Sequence, residues 1–196
     1  MSEPCTRSID PISWLVSSVG EASPTEYPFN HVSEWINQME VAMPNVKPIP
    51  DGYPQISPYL CIDGAEEAIE FYSTVFDAKE RLRLPAPEGK IGHAELQLGD
   101  SVIMLADEAP ELGIRSPKSV GGTPVTISVY VEDVDGVFDR AVQSGAKAIR
   151  PLEDQFYGDR SGQFEDPFGH RWSVATHVED VSPDEMAKRS AEMMGG

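Results

Sequence analysis

From Val125 to Val131 the chain alternates strictly, with Val125, Ile127, Val129 and Val131 set against Thr126, Ser128 and Tyr130. A period of two predicts a strand with one greasy face and one hydroxyl-bearing face. Directly after it the period lengthens. Val134, Val137, Phe138, Ala141 and Val142 recur at helical spacing behind Asp133 as N-cap, and Gly145 stops the run. Short strands follow near 147–152, 160–165 and 170–176. The same order occurs earlier in the chain. Gln55 to Ile62 reads as a strand, and Asp63 with Glu66 opens a helix whose stripe is Ala65, Ala68, Ile69, Tyr72, Val75 and Phe76. Strands at about 79–85, 91–98 and 101–106 complete this first half.

The two halves repeat each other. Ile91-Gly-His-Ala-Glu95 leading to Gly99 matches Ser161-Gly-Gln-Phe-Glu165 leading to Gly169 at a spacing of 70, and Asp77-Ala-Lys79 matches Gly145-Ala-Lys147. The expected fold is therefore α+β: two tandem βαβββ modules, 55–107 and 124–177, forming a curved, mostly antiparallel sheet around a cleft. A linker at 108–123, rich in Pro and Gly, joins them. Each half alone, at roughly 50 residues, is too small to bury an adequate core, so the modules are expected to pack together and the chain to form a homodimer through strand edges or helices.

Flanking segments have a different texture. Eight prolines interrupt 1–54, leaving room for one amphipathic helix from Asn30 to Met43, with Val32, Trp35, Ile36 and Met39 on its apolar stripe. At the other end, 178–196 carries the capping box Ser182-Pro-Asp-Glu185 and a predicted helix over 183–194.

Composition narrows the function. The chain has 196 residues and a formal net charge of −18, a field that repels nucleic-acid phosphates and anionic lipid headgroups. Neither nucleic acid nor membrane is expected as a partner. No apolar run reaches the roughly 20 residues a spanning helix needs, and Glu3 precedes the first cation, Arg7, so a cytoplasmic protein is expected. Cys5 and Cys61 form no CxxC or Cys/His cluster, which argues against a zinc site or a disulfide framework.

A small set of polar residues falls where it can face a cleft. Ser57, Tyr59 and Cys61 share one face of the first strand, and Thr126, Ser128 and Tyr130 share one face of its counterpart. His93 lies in phase with Glu95 and Gln97, so an imidazole is available for acid/base work, and His177 at the end of the last strand is a weaker candidate of the same kind. Arg160, at the mouth of a strand, offers a planar fork for an anionic ligand or for neighbouring carboxylates.

Several strings carry a resemblance: Ser57-Pro-Tyr-Leu60 before Gly64-x-x-x-Ala68-x-x-Phe71-Tyr72, then Gly92-His-Ala-Glu95, Met104-Leu-Ala-Asp107, and Tyr157-Gly-Asp-Arg-x-Gly162-x-x-x-Asp166-Pro-Phe-Gly-His170-x-Trp172. Over residues 55 to about 180 the chain resembles the paired modules of the vicinal oxygen chelate superfamily, which includes glyoxalase I, fosfomycin and bleomycin resistance proteins and ring-cleaving dioxygenases. Within it, the likeness is to the PhnB-like glyoxalase-related proteins. The resemblance implies metal ligands, His or Glu, on the first and last strands of each module. Here those positions hold Ser57, Thr126, Ser173 and either Ile103 or Met104, none of them suited to a hard or borderline cation. No metal and no cofactor is therefore expected.

What remains is a cleft lined by Ser57, Tyr59, Cys61, Thr126, Ser128, Tyr130, Ser173 and Arg160, suited to metal-independent sequestration of a small organic molecule. The alternative is a lyase, isomerase or transferase working through His93, His177 or an unrecognised metal site. A protein-interaction module using Trp35, the acidic surface and the tail is a third possibility.

Overall fold

Leu60 and Ile62 are buried while Tyr59 and Cys61 on the same strand are not, the alternation expected of a strand lying on a core. The structure, a computed structural model, describes residues 46–194. The predicted Asn30–Met43 helix, and with it most of the 1–54 segment, lies outside the described residues.

The first module runs β1 (Tyr59–Ile62), α1 (Ala65–Phe76), β2 (Lys79–Pro85), β3 (Ile91–Leu98) and β4 (Ser101–Asp107). A short α2 (Pro117–Val120), capped by Ser116, interrupts the segment predicted as a linker. The second module runs β5 (Thr126–Tyr130), α3 (Val134–Gln143), β6 (Lys147–Asp154), β7 (Asp159–Glu165) and β8 (Arg171–His177), followed by α4 (Pro183–Met194). Only β1 departs much from its predicted span: Pro58 offers its carbonyl to Met104 but has no N–H to donate, and regular pairing begins at Tyr59.

The α+β architecture of two βαβββ modules is as predicted, with one difference in the sheets. They form two separate four-stranded sheets, ordered β1-β4-β3-β2 and β5-β8-β7-β6, rather than one curved sheet. In each, the first strand pairs in parallel with the last, and the remaining ladders are antiparallel.

The helix-bearing sides of both sheets share one core. Phe76 of α1 lies 4.7 Å from Trp172 of β8 and 6.3 Å from Phe164 of β7, ring centre to ring centre, and Phe138 of α3 reaches the same Phe164 at 6.0 Å. At its centre is a buried carboxylate. Asp166 accepts hydrogen bonds from the Tyr72 hydroxyl (2.7 Å), the Trp172 indole N–H (2.9 Å) and the backbone N–H groups of Phe168 and His170 (both 2.9 Å). It ties α1 to the β7–β8 turn.

The cap of α1 differs from the Asp63 cap the sequence suggests. Gly64, at φ 94°, turns its own N–H and that of Ala65 toward the end of β4, where the Asp107 carboxylate accepts both. Thr176 on β8 does the corresponding work for the Val134 N–H, while Asp133 caps α3 through Gly136 as predicted.

These paired caps fix the correspondence between modules. Tyr59 lies opposite Met104 as Ser128 lies opposite Ser173, and Glu95 lies opposite Met104 as Gln163 lies opposite Ser173. Glu95 therefore corresponds to Gln163 and not to Glu165, so the spacing of 70 is out of structural register. The cause is turn length: β3 and β4 join through Gly99 and Asp100, whereas the turn closed by the Asp166 N–H on the His170 carbonyl holds one residue more.

Candidate functional site

Each sheet has a face turned away from the shared core, and both carry polar side chains. On the first sheet this open face presents Tyr59 and Cys61 from β1, Met104 from β4, His93, Glu95 and Gln97 from β3, and Leu82 with Leu84 from β2. Four of its polar groups are joined in series: Tyr53 donates its hydroxyl to Glu95 Oε2 at 2.6 Å, Glu95 Oε1 lies 3.3 Å from His93 Nε2, and His93 Nδ1 lies 2.9 Å from the Tyr59 hydroxyl. Glu95 is buried, yet the hydrogen bond from Tyr53 outweighs the cost of burial and holds its carboxyl below the ordinary carboxylate range. Arg81 lies over the Tyr53 ring at 4.4 Å.

The second sheet carries a similar chain built from different positions. Tyr130 donates to Asp159 Oδ2 at 2.6 Å, and His177 meets Asp159 Oδ1 at 2.8 Å through Nδ1 and Asp180 at 3.0 Å through Nε2. Burial pushes Asp159 up, but the hydrogen bonds from Tyr130 and His177 more than offset it and leave the carboxyl below its usual range. Asp180 and Asp159 together raise His177. A histidine raised in the folded state stabilises it fully below the ordinary imidazole value and ceases to do so as pH rises through the folded value. The wild type should accordingly exceed His177→Gln in stability most at pH 5 to 6, with the gap closing by pH 9; urea unfolding across that range measures it.

The expected ligand-lining residues fall into four places. Ser128 and Tyr130 border a groove of about 860 Å³ that runs along the free edge of β5, between the Gly99–Asp100 turn, the end of α1 and the start of α3. Tyr59 and Cys61 stand on the first open face with Ser57 just before β1, and Thr126 with Ser173 on the second. Burial raises the Cys61 thiol, with Glu108 and Asp107 adding to the shift, so it is a neutral side chain. Arg160 belongs to neither open face. It pairs with the second module's helix side, where Asp135 takes its fork at 2.8 Å on both oxygens and Asp154 adds a third contact at 3.1 Å. That leaves no free fork for an anionic ligand, and Arg160 is replaced in the candidate set by Glu95 and Asp159. The sequence places Glu95 in phase with His93, but Asp159 had no such signal because its partners Tyr130 and His177 are distant in the chain.

His170 donates from Nε2 to the Cys61 carbonyl at 3.2 Å, and burial lowers its basicity. For the metal positions, the register selects Met104 over Ile103: Met104 faces outward opposite Tyr59, whereas Ile103 is in the core. Ser57, Met104, Thr126 and Ser173 supply no imidazole or carboxylate, and among the described residues no group of three His, Cys, Asp or Glu is placed to hold a metal ion. The metal implied by the resemblance does not fit this donor set. Among the described residues, also, no helix is long and apolar enough to cross a membrane.

Comparison with known proteins agrees with this architecture. The family model described as Glyoxalase/Bleomycin resistance protein/Dioxygenase superfamily matches residues 54–174. The uncharacterized protein Mb0911c of Mycobacterium bovis is 48% identical over 136 residues, covering 68% of this chain and 90% of that one. Among solved structures, protein PA1353 from Pseudomonas aeruginosa is 27% identical with a TM-score of 0.53, over 64% of this chain and 99% of its own. A PhnB protein from Bacillus cereus, described as a putative 3-demethylubiquinone-9 3-methyltransferase, shares the fold at 22% identity and a TM-score of 0.51, over 63% of this chain and 99% of its own. The chain belongs to the glyoxalase/bleomycin resistance protein/dioxygenase superfamily.

Proposed function

We propose that this chain binds a small organic molecule without a metal, on the open sheet faces, and that a second copy of the chain completes the enclosure. The observation that carries the reading is the composition of those faces. They hold aromatic and aliphatic surface, Tyr59 (54% exposed), Leu84 (49%) and Tyr130 (65%), beside fixed carboxylates and hydroxyls, and among the described residues no three His, Cys, Asp or Glu side chains come together to hold a metal. A ligand site of this kind is ordinarily concave and largely enclosed. Within one chain neither open face is covered by the other, because the helix-bearing sides are the ones packed together. A second copy presents the same pair of faces, and β2, exposed at each of its seven residues, lies at the border of one of them.

Three measurements test this reading. Sedimentation is expected to give a dimer at micromolar concentration. The purified protein is expected to hold no stoichiometric zinc, nickel, manganese or iron, and chelators to leave its melting temperature unchanged. A bound metal at a hundredfold excess over its Kd would stabilise by about 2.7 kcal/mol and would show in the melt. In a thermal-shift screen of small aromatic and polar molecules, Tyr130→Ala should weaken binding to the hits more than it lowers the unliganded melting temperature. Near-stoichiometric metal, or a monomer that binds none of the screen, would overturn the reading.

A further inference from the structure

The modules meet along two related seams, each bounded by the free edge of one module's first strand and by the turn between the other module's last two strands. At the β1 edge the longer β7–β8 turn fills the seam. Phe168 lies 6.2 Å from Phe71 and 6.4 Å from Tyr72, ring centre to ring centre, and His170 donates from Nε2 to the Cys61 carbonyl at 3.2 Å. Leu60 and Ile62 of β1 are accordingly 5% and 0% exposed. At the β5 edge the corresponding turn is Gly99–Asp100, one residue shorter, so it holds no counterpart of Phe168, and the ladder puts Ser101 where His170 stands. Val129 and Val131, the counterparts of Leu60 and Ile62, are only half-buried, and along them runs the groove of about 860 Å³. Its volume is that of a small-molecule site.

Two features of the groove select an occupant. The first is the strand edge. Val131 donates its N–H inward to the Ala175 carbonyl of β8, so by the alternation of a strand Ser128 and Tyr130 turn their backbone groups outward, as Cys61 does toward His170. The Tyr130 carbonyl thus takes the place of the Cys61 carbonyl and calls for a donor. The second feature is charge. Asp77, Asp100, Glu132 and Asp133 line the groove against the one guanidinium of Arg140, which spends Nε and Nη2 on the Val75 carbonyl at 3.2 and 3.0 Å. Arg140 stands where the first module has Phe71, and a guanidinium plane stacks on an aromatic ring. Another copy of this chain, at a net charge of −18, is repelled by such a lining, whereas a cation is attracted.

We propose that the groove along β5 binds a small aromatic amine in its protonated form. The ring takes the place that Phe168 holds at the other seam, and the ammonium donates to the Tyr130 carbonyl among the carboxylates. This site is distinct from the open sheet faces, since the Tyr130 side chain leaves the groove to meet Asp159 while its backbone and Val129 stay in it. It goes beyond the binding reading above and does not depend on it.

The test titrates the full-length chain with tryptamine, followed by calorimetry and methyl NMR. Saturable binding is expected, with shifts centred on Ile127, Val129 and Val137 and slowed exchange of the Tyr130 amide. Tryptophol, with a hydroxyl in place of the ammonium, should bind about 5- to 10-fold more weakly, the difference between a charged and a neutral hydrogen bond. Salt should weaken tryptamine and leave tryptophol unchanged. Asp77→Asn, Asp100→Asn and Glu132→Gln combined should cost about 10-fold in tryptamine affinity, as three exposed charges lost together. Asp77 sits at φ 54°, which Asn also adopts, so this variant is expected to fold. Glu111→Gln, Glu153→Gln and Glu192→Gln combined change the net charge equally at exposed positions outside the groove and should bind as the wild type does. No saturable binding at millimolar tryptamine, or tryptophol binding equally well, overturns the proposal. So does protection of the Tyr130 amide that rises with protein concentration in the ligand-free chain, because a second copy then covers the edge. Shifts confined to Leu82 and Leu84 defeat the groove and leave the open-face reading standing. Tryptamine held in the groove by a chain that proves monomeric and metal-loaded defeats the open-face reading instead.

Discussion

Asp166→Ala should lower stability by about 4 kcal/mol, because it leaves four donors in the core without an acceptor. Tyr72 Oη–H, Trp172 Nε1–H and the N–H groups of Phe168 and His170 all end on this one carboxylate, and Asp166, Tyr72 and Trp172 are each no more than 4% exposed. A buried donor deprived of its partner costs about 1 to 3 kcal/mol, and the four do not add fully because the turn relaxes. At about 2 to 4 °C per kcal/mol for a chain of this length, the melting temperature should fall by roughly 8 to 16 °C. Asp166→Asn should cost nearly as much, about 3 kcal/mol. Each carboxylate oxygen serves two donors, and an amide replaces one oxygen with an NH₂ that confronts two N–H or O–H groups. Tyr72→Phe removes a single bond and should cost only about 1 to 1.5 kcal/mol. Urea unfolding of the three variants checks the order, and Asp166→Asn matching the wild type would show that the carboxylate does not organise this core.

The Asp166 cluster also shows what the sequence could and could not convey. The string Asp166-Pro-Phe-Gly-His170-x-Trp172 stands out as the most specific stretch in the chain, yet nothing in it points to Tyr72, which is 94 residues away. Local periodicity is readable because it arises from the chain's own geometry: the alternation in β5, the Asp133 cap and the α3 stripe appear where the pattern puts them, except that Val142, predicted on the stripe, is exposed at the helix's last turn. Contacts closed by the fold are not local. Asp107 caps α1 from 42 residues downstream, which is why Asp63, the residue with the right sequence signature, is not the cap. The repeat was visible, but a one-residue difference in turn length defeats any single spacing, and with it the choice between Ile103 and Met104. For the site, strand phase placed His93 with Glu95 and Tyr59 with Cys61 on common faces. It did not join the two lines, since the bond from Tyr59 to His93 crosses β4, and the strand order β1-β4-β3 is a property of the whole module. Arg160 shows the converse: its neighbours in sequence gave no sign of Asp135, which takes the guanidinium from 25 residues away.

Gly158→Ala should destabilise the chain by about 2 to 4 kcal/mol and disconnect the second open face from the tail. Gly158 stands at φ 95°, in the left-handed region where a side chain is strained, and an added Cβ would collide with the Glu179 carbonyl oxygen and press on Val181. The obstacle is backbone, so no rotamer relieves it. Its carbonyl also accepts the N–H groups of Val178 and Glu179, both at 2.9 Å, which pins the chain leaving β8 beside the β6–β7 turn. The neighbouring Asp159 holds Tyr130 and His177, and Asp180 holds the far side of the same imidazole, so pushing the tail outward separates Asp180 from His177 while Asp159 stays on its strand. With one of its two carboxylates withdrawn, His177 should lose the leading cause of its elevation, the hydrogen bond to Asp180. The histidine titration followed by NMR should move toward the ordinary imidazole value in Gly158→Ala, alongside the drop in urea midpoint. Ser161→Ala, on the same strand but outside this hydrogen-bonded chain, should leave the titration in place. A Gly158→Ala protein with wild-type stability and an unmoved His177 would mean that the tail is not held by this turn.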